Sequence, residues 1–322
     1  MACITALLSA CTTSPDTEIP TGGTEEAASK FIVGYLPDWA YYSYEQLEFG
    51  KLTHLNLAFC NPTSDGGISC GIPDGHLNQI VQKAHDEQVK VIAALGGGGY
   101  CDQFRPILAD QTRRIALNEA IEAYCETYGL DGIDLDIELN ASDTIWNDYG
   151  TWVKELRAIC DGHGWLLSTA TAQWVAYNVS EETFALFDYL NVMAYDDETH
   201  PSSHVSYQFT EECLNYFETQ KNVAKERLVL GVPFYGRGYT NGALDWNSYV
   251  SFKELIAENE ALYHADVDGN GVAYNGAETM TKKCDLAKAY GGIMIWEITL
   301  DATGEYSLLD LIHRELTETE RS

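Results

Sequence analysis

The chain has 322 residues, of which 49 are acidic and 19 are basic, so its formal net charge is −30 at pH 7. This balance argues against a nucleic-acid partner, which needs clustered Lys and Arg, and against an anionic lipid surface, which would repel the chain. A hydrophobic content of 45%, with no apolar run long enough to span a bilayer, predicts a globular protein of one large domain or two ordinary ones.

Residues 1–30 differ in composition from the rest of the chain. A short apolar stretch ends in Leu8-Ser9-Ala10-Cys11, and a polar segment rich in Thr, Ser, Pro, Gly and Glu follows it. The tetrapeptide resembles the lipobox of bacterial lipoproteins, although no Lys or Arg precedes Lys30. We therefore expect a lipoprotein-type signal and flexible tether over residues 1–30, lipidation of Cys11, and export to the periplasm or the cell surface. An upstream start and an ordinary frayed terminus are the alternatives.

The nine cysteines do not form a simple disulfide framework. Once Cys3 and Cys11 are assigned to the leader, an odd number remains, which cannot pair completely. Cys60 and Cys70 flank a loop rich in Gly, Pro and Asp and could close a short disulfide, with Cys101 as a competitor. Most of the others, such as those at positions 125 and 160, are expected to be buried free thiols, these two within helices.

Eight short apolar segments recur from residue 31 onwards, each bounded by turn residues. They cover residues 31–37, 54–59, 89–97, 130–138, 166–174, 189–196, 228–236 and 291–299. Amphipathic stretches with helical spacing separate most of them, and strands alternating with helices predict a parallel sheet. Eight such units close a barrel, so we expect an α/β fold, a (β/α)8 TIM barrel, as a single domain over residues 31–322. Roughly forty residues beyond a minimal barrel would form mainly a small insertion between strands 7 and 8. A doubly wound open sheet is the alternative, but the first strand turn lacks a glycine-rich phosphate fingerprint.

Three acidic residues alternate along the fourth predicted strand, in the segment DGIDLDIE at residues 131–138. Because strand side chains alternate between faces, Asp134, Asp136 and Glu138 point to one side, toward the barrel interior. Glu138 comes last, at the C-terminal end where barrel active sites lie. Like charges this close raise at least one pKa, so the set retains a proton and can act as a general acid. A Mg²⁺ or Ca²⁺ site is the alternative, but one strand rarely supplies a full ligand shell, and neither metal nor cofactor is predicted.

Four segments together resemble glycoside hydrolase family 18, which contains the chitinases and the endo-β-N-acetylglucosaminidases. DGIDLDIE matches the DxxDxDxE signature of that family. MAYD (193–196) at strand six, GVPFYGR (231–237) at strand seven and GGIMIWE (291–297) at strand eight also match, in order. The resemblance spans Phe31 to about Ile312.

The resemblance implies a role for each matching residue. Glu138 would protonate the glycosidic oxygen, Asp136 would turn toward it and bind the N-acetyl N–H of the substrate, and Asp134 would share or store the proton. The nucleophile would be the substrate's own acetamido oxygen, held by Tyr195, with an oxazolinium intermediate and overall retention of configuration. Trp296 would be the hydrophobic floor beneath the sugar. The implied substrate-binding residues are Tyr35, Tyr100, Gln173, Met193, Asp196, Tyr235, Arg237 and Trp296. Core packing is the alternative for Trp296, and a structural ion pair is the alternative for Arg237.

Some features depart from the family pattern or carry no assigned role. Ile137 stands where many chitinases have Trp, and in the run after strand three a sugar-stacking aromatic is missing or moved to Tyr100. The insertion before strand eight is too short for the α+β module of deep-cleft members, so an open, shallow groove is expected. Residues 266–271 imitate an EF-hand loop but are interpreted as a turn between two short strands. His200 and His204 have metal-like spacing and are interpreted as solvent-exposed polar residues of a loop.

Two classes of function follow from the resemblance. The first is a retaining hydrolase that cleaves β-1,4 linkages of N-acetylglucosamine polymers or oligomers. A chitinase is favoured over an endo-β-N-acetylglucosaminidase acting on N-glycans. The second is a lectin-like chitin- or glycan-binding protein on the same barrel, which an intact Glu138 disfavours. The expected partner is chitin or an N-acetylglucosamine-containing oligosaccharide, with membrane contact only through the possible lipid anchor. The expected oligomeric state is a monomer.

Overall fold

The structure is a computed structural model that describes residues 30–140, 145–200 and 203–318. Eight parallel strands close a barrel, and each pairs with its neighbours in chain order. They are β1 (Phe31–Pro37), β2 (His54–Ala58), β3 (Lys90–Gly96), β4 (Gly132–Asp136), β5 (Leu166–Thr171), β6 (Tyr189–Val192), β7 (Leu228–Pro233) and β8 (Gly292–Trp296). The prediction of a (β/α)8 TIM barrel is confirmed.

Helices cover the outside of the barrel. They are α1 (Asp74–Asp86), α2 (Arg105–Leu108), α3 (Gln111–Tyr128), α4 (Trp146–His163), α5 (Gln173–Ala176), α6 (Glu181–Phe184), α7 (Tyr207–Gln220), α8 (Phe252–Glu258), α9 (Ala277–Ala287) and α10 (Leu308–Thr317). Two 3₁₀ segments, Asp38–Gln46 and Phe49–Lys51, take the place of a helix after β1. Of the described helices, none combines the length and the apolar character that a membrane crossing requires.

The alternation of side chains along β4 sorts them into two layers. Ile133 and Leu135 belong to the large apolar layer between the sheet and the helices. Asp134 and Asp136 point the other way, into the barrel, where both are buried. The sequence pattern predicts Glu138 as the last residue of this strand. In the structure the strand ends at Asp136, and Glu138 lies two residues beyond it. Ile137, at the position occupied by Trp in many chitinases, also packs in the outer layer.

The segment between β7 and β8 holds two small antiparallel pairs and two helices. Tyr235–Gly236 pairs with Val250–Ser251, and Tyr239–Thr240 pairs with Ala243–Leu244, ahead of α8 and α9. A single antiparallel bridge joins Val267 to Ala273, so residues 266–271 form the turn that was expected there. The small insertion predicted before the last strand is therefore present.

The cysteines follow the sequence interpretation. Cys60 and Cys70 form a disulfide, while Cys101, Cys125 and Cys160 are buried free thiols. The last two lie in α3 and α4. The expected signal, tether and lipidation at Cys11 lie outside the described residues, so those expectations stay predictions.

Candidate active site

Asp134 is the deepest member of the carboxylate column and is saturated with hydrogen bonds. Tyr35 donates to its Oδ2 at 2.7 Å, and Ser168 donates to its Oδ1 at 2.6 Å. Asn191 adds a third donor at 3.2 Å. Burial raises the pKa of Asp134, and these hydrogen bonds oppose the rise. Asp134 is thus held in place by donors on three other strands of the barrel, β1, β5 and β6.

Asp136, one step higher, lacks comparable partners. It is buried, and its Oδ1 has no hydrogen-bond partner among the described residues. Burial and the charges of Glu138 and Asp134 raise its pKa well above the ordinary range. A buried acceptor without a donor is costly, so a substrate N–H that reached it would be bound favourably.

Glu138 ends the column at the mouth of the barrel. Burial and the nearby charge of Asp196 raise the pKa of its carboxyl to about 7. The group therefore carries a proton through a large part of the neutral range, as a general acid requires. The raised pKa values of Asp136 and Glu138 agree with the prediction from the alternation of acids that the set retains a proton.

The backbone of Glu138 is held by a residue to which the sequence had given no catalytic role. Its N–H donates to the Sγ of Cys101 at 3.0 Å, and the same thiol lies 3.4 Å from the carbonyl oxygens of Gly97 and Asp136. Gly97 has a positive φ of 89°, and a Cβ there would collide with the ring of Phe59. The glycine run after β3 thus lets the backbone pass close to the catalytic column.

Tyr195 and Asp196 face the column from the end of β6. Burial and the charges of Asp136 and Asp196 raise the pKa of the Tyr195 hydroxyl well above the ordinary range. A phenol held protonated in this way is a hydrogen-bond donor. Met193 is half-buried and packs against the cluster of side chains inside the barrel.

Asp196 forms an ion pair with Arg237. The Arg237 Nε lies 2.6 Å from Oδ1, and Nη2 lies 3.2 Å from Oδ2. Although burial opposes it, the hydrogen bond from His204 and the ion pair with Arg237 lower the pKa of Asp196. Asp196 is therefore ionised beside Glu138. Arg237 is only 8% exposed and reaches the site through this pair, which favours the structural ion pair over direct lining of the cleft.

His204 corrects the sequence interpretation of the histidine pair. The side chain is fully buried rather than solvent-exposed, and its Nδ1 lies 3.2 Å from Asp196 Oδ1. Its Nε2 lies 3.1 Å from the carbonyl oxygen of Ala273, in the insertion. His200 remains partly exposed and pairs with Asp197. The two histidines thus have separate roles: His204 contacts Asp196 and Ala273, and His200 pairs with Asp197.

Trp296 closes the other side of the site at the end of β8. Its ring is half-buried and stacks on Phe59 at a centroid distance of 5.6 Å, with Tyr35 edge-on at the same distance. The exposed Trp39 stands 6.4 Å away. Sequence reasoning missed Phe59 and Trp39, although both closely follow strand ends, where barrel sites are built.

The remaining predicted substrate-binding residues divide by exposure. Tyr100 is 57% exposed on the loop after β3, and Gln173 is half-exposed at the start of α5. Tyr35 and Tyr235 are each only 1% exposed. Tyr35 lies in the cluster inside the barrel and Tyr235 stacks on the ring of His204, so the expectation that these two line the cleft stays a prediction.

In the described part of the chain, no cluster of three or more His, Cys, Asp or Glu side chains is arranged to hold a metal ion. Within the carboxylate column, the oxygens of Asp134 accept hydrogen bonds from Tyr35, Ser168 and Asn191.

A closed α/β barrel with a proton-holding carboxylate column at the C-terminal end of β4 defines a TIM-barrel enzyme of the acid–base type. Comparison with known proteins identifies the family. The model of glycosyl hydrolases family 18 matches residues 31–301, and the chain belongs to that family. The resemblance stated from the four motifs is confirmed.

Individual relatives agree. The GH18 chitinase from the chitin utilization locus of Flavobacterium johnsoniae superposes with a TM-score of 0.80 at 31% identity, over 90% of this chain and 94% of that one. A probable endochitinase of Caenorhabditis elegans is 25% identical over 88% of this chain and 59% of its own length. Chitinase A1 of Niallia circulans is 24% identical over 86% of this chain and 58% of its own length. The chain thus spans less than two thirds of these last two relatives.

Proposed function

We propose that this protein is a chitinase: a retaining hydrolase that cleaves β-1,4 linkages between N-acetylglucosamine units. The observation that carries the proposal is Glu138, a carboxyl at the barrel mouth whose pKa of about 7 keeps it protonated beside ionised Asp196. Family membership and the chitinases among the relatives supply the substrate class.

The environment of each carboxylate favours a substrate-assisted route. Glu138 donates its proton to the glycosidic oxygen as the bond to the leaving sugar breaks. Asp134 is held by three donors and Asp196 by Arg237 and His204, so neither is free to attack the anomeric carbon. Asp136 is buried below the mouth of the barrel, where its free oxygen is placed to accept a hydrogen bond. The acetamido oxygen of the substrate attacks instead and forms an oxazolinium ion.

Asp136 and Tyr195 orient the acetamido group for that attack. The unpartnered Oδ1 of Asp136 accepts the N-acetyl N–H, which satisfies a buried acceptor. The Tyr195 hydroxyl donates to the acetamido oxygen. Trp296 packs its face against the C–H face of the distorted sugar. Water then opens the oxazolinium with Glu138 acting as the base, and the configuration is retained.

The insertion supports an open groove above this site. Its two antiparallel pairs are only two residues long on each side, which is too little for a high wall. We therefore expect cleavage within chains or of short oligosaccharides, and little processive action on crystalline chitin.

Product analysis on two substrate classes tests the proposal. Purified protein is incubated separately with chito-oligosaccharides and with an N-glycopeptide that carries a chitobiose core, and the first anomer released is identified by NMR. Release of β-anomeric N-acetylglucosamine oligomers from the first substrate alone is expected. Cleavage of the glycopeptide alone would instead show an endo-β-N-acetylglucosaminidase. Tight binding without cleavage of either would show a lectin, and an inverted anomer would exclude substrate assistance.

Export and anchoring remain part of the proposal. The apolar run ending in Leu8-Ser9-Ala10-Cys11, followed by a polar segment, supports lipidation of Cys11 and a tether that presents a monomeric barrel from the membrane surface. Mass spectrometry of the amino-terminal peptide from the native host tests this. An unmodified peptide that retains the residues before Cys11 would contradict it.

A further inference from the structure

His204 is a buried titratable group that does not touch the reacting atoms in the proposed mechanism. It is fully enclosed, in a loop between β6 and α7, yet both of its ring nitrogens have partners in the active-site wall. Burying an imidazole costs free energy unless its nitrogens are satisfied, so the two contacts specify the position of the ring.

One nitrogen contacts Asp196 twice. Nδ1 lies 3.2 Å from the carboxylate Oδ1 and 3.3 Å from the backbone nitrogen of the same residue. The backbone N–H donates to a bare Nδ1, whereas a protonated Nδ1 donates to the carboxylate. In either state the ring fixes Asp196 directly, and the backbone nitrogen of Asp197 donates in return to the His204 carbonyl oxygen at 3.2 Å.

The other nitrogen reaches the partner of Asp196. Nε2 donates to the carbonyl oxygen of Ala273 at 3.1 Å, and Ala273 is paired with Arg237 by two backbone hydrogen bonds of 2.8 and 3.0 Å. His204 therefore holds Asp196 through one nitrogen and the backbone beneath Arg237 through the other. The ring is also stacked on Tyr235, at a centroid distance of 5.6 Å and an interplanar angle of 27°.

We propose that His204 is a positioning residue of the active site, which holds the Asp196–Arg237 pair in place chiefly through the contact of its Nδ1 with Asp196. The inference rests on the proposed function, because the residue acts through Asp196 on the hydrolysis that Glu138 catalyses. Its importance lies in the contact made by Nδ1, and the contact made by Nε2 is secondary.

Two amide substitutions separate the contacts. The amide nitrogen of Asn can replace Nδ1 and donate to Asp196, whereas the longer Gln places its amide near the position of Nε2 and reaches Ala273. His204→Phe keeps the stacked ring and removes both contacts. The matched control is His264→Asn. It changes an exposed histidine in the insertion between β7 and β8, which pairs with Glu278.

The expected results follow from the value of a hydrogen bond to a charged group. His204→Asn keeps kcat/KM on a chitobioside within about threefold of wild type, whereas His204→Gln and His204→Phe lose about tenfold or more, chiefly in kcat. In the background of Asp196→Asn, His204→Phe adds less than about twofold, because the carboxylate that His204 positions is absent. His264→Asn is unchanged.

Two outcomes overturn the proposal: Gln equal to or better than Asn, or a Phe variant within about twofold of wild type in kcat/KM. If the Phe variant does not fold, as judged by calorimetry, the comparison of Asn with Gln still decides. Crystal structures supply a readout that does not depend on activity. The Asp196 side chain keeps its wild-type rotamer in the Asn variant and turns away in the Gln variant. An inactive wild type with the rotamers behaving as stated would contradict the chitinase proposal and leave the positioning role standing.

Discussion

The chemistry at the residue scale depends on one proton. Asp134 is satisfied by hydrogen bonds and Asp196 by Arg237 and His204, but no cation among the described residues pairs with the carboxyl of Glu138. Burial and the charge of Asp196 therefore act on Glu138 without opposition, and its pKa rises to about 7. The two environments thus shift the pKa values of Glu138 and Asp196 in opposite directions.

Replacing the acid tests its role directly. Glu138→Gln is expected to lower kcat by about 10³-fold on chito-oligosaccharides, because general acid catalysis contributes about 10²- to 10⁴-fold. Oligosaccharide binding, measured by calorimetry, should stay within about threefold of wild type. The control is Glu278→Gln, a carboxylate exposed on α9. Near-full activity of Glu138→Gln would show that the acid is elsewhere.

The pH profile should show the same group. Since Glu138 works in its protonated form, kcat/KM is expected to fall about tenfold per pH unit as the pH rises through about 7. Removing the negative charge in Asp196→Asn lowers the pKa of Glu138, so this alkaline limb moves to lower pH. A limb that stays in place or moves upward would contradict the assignment.

The raised pKa of Glu138 has a cost in stability. In the unfolded chain the group ionises near pH 4.5, and in the folded chain near pH 7, so ionisation favours unfolding increasingly across this interval and fully above it. Glu138→Gln removes the penalty and should raise the free energy of unfolding by about 3 kcal/mol at pH 8. Urea unfolding at pH 8 and at pH 4 checks this, and an equal gain at both would be inconsistent with it.

Among the secondary-structure elements, the insertion between β7 and β8 supplies an aromatic wall beside the site. Trp246 is 54% exposed, yet its position is fixed: Nε1 donates to Glu198 at 2.8 Å, and the ring lies 4.8 Å from the guanidinium of Arg237. An ordered, exposed aromatic ring beside the proposed carbohydrate site is a surface on which a sugar can stack.

We therefore expect Trp246→Ala to raise KM for longer chito-oligosaccharides by about fivefold with little change in the midpoint of thermal unfolding. The control is Ile115→Ala on α3, where an apolar side chain of similar exposure faces solvent. Equal KM values for Trp246→Ala and wild type would show that Trp246 does not contribute to oligosaccharide binding.

The disulfide after β2 is the other local feature with a measurable effect. It closes a loop with a sequence separation of 10 residues, which includes the short antiparallel pair Asn61–Pro62 and Ile68–Ser69. The double variant Cys60→Ser, Cys70→Ser should lose about 2–3 kcal/mol of unfolding free energy, because the loop is then unconstrained in the unfolded chain. Dithiothreitol should destabilise the wild type and leave the double variant unchanged.

The charge of the whole molecule bears on which polymers it prefers. With a net charge of −30, the surface attracts cations and is screened by salt. Partly deacetylated, cationic chitosan oligomers should therefore bind more tightly than fully acetylated oligomers of the same length at low salt. The difference should shrink as the salt concentration approaches about 0.5 M. Titration of both oligomers at two salt concentrations checks this, and an affinity for chitosan independent of salt would exclude it.

Much of the site could be predicted from local sequence. Asp134, Asp136 and Glu138 were placed on one side of the barrel because a period of two forces alternate residues onto one face of a strand. Burying such acids without partners costs several kcal/mol each, so their presence on an inward face already indicated a site. Ser168 could also have been found, since the register pairs it with Asp134 across β4 and β5.

The sequence by itself determined the barrel, its eight strands, the column of acids and the family, because each depends on side-chain periodicity or on residues close together in the chain. The tertiary structure alone decided which side chains support the column. Cys101 meets Glu138 across 37 positions and His204 meets Ala273 across 69, and no local pattern encodes such a contact. His204, interpreted as exposed from its polar neighbours, is buried because the insertion folds over it. Whether a side chain is buried depends on which distant segments of the chain pack over it, and closure of the barrel brings those segments together.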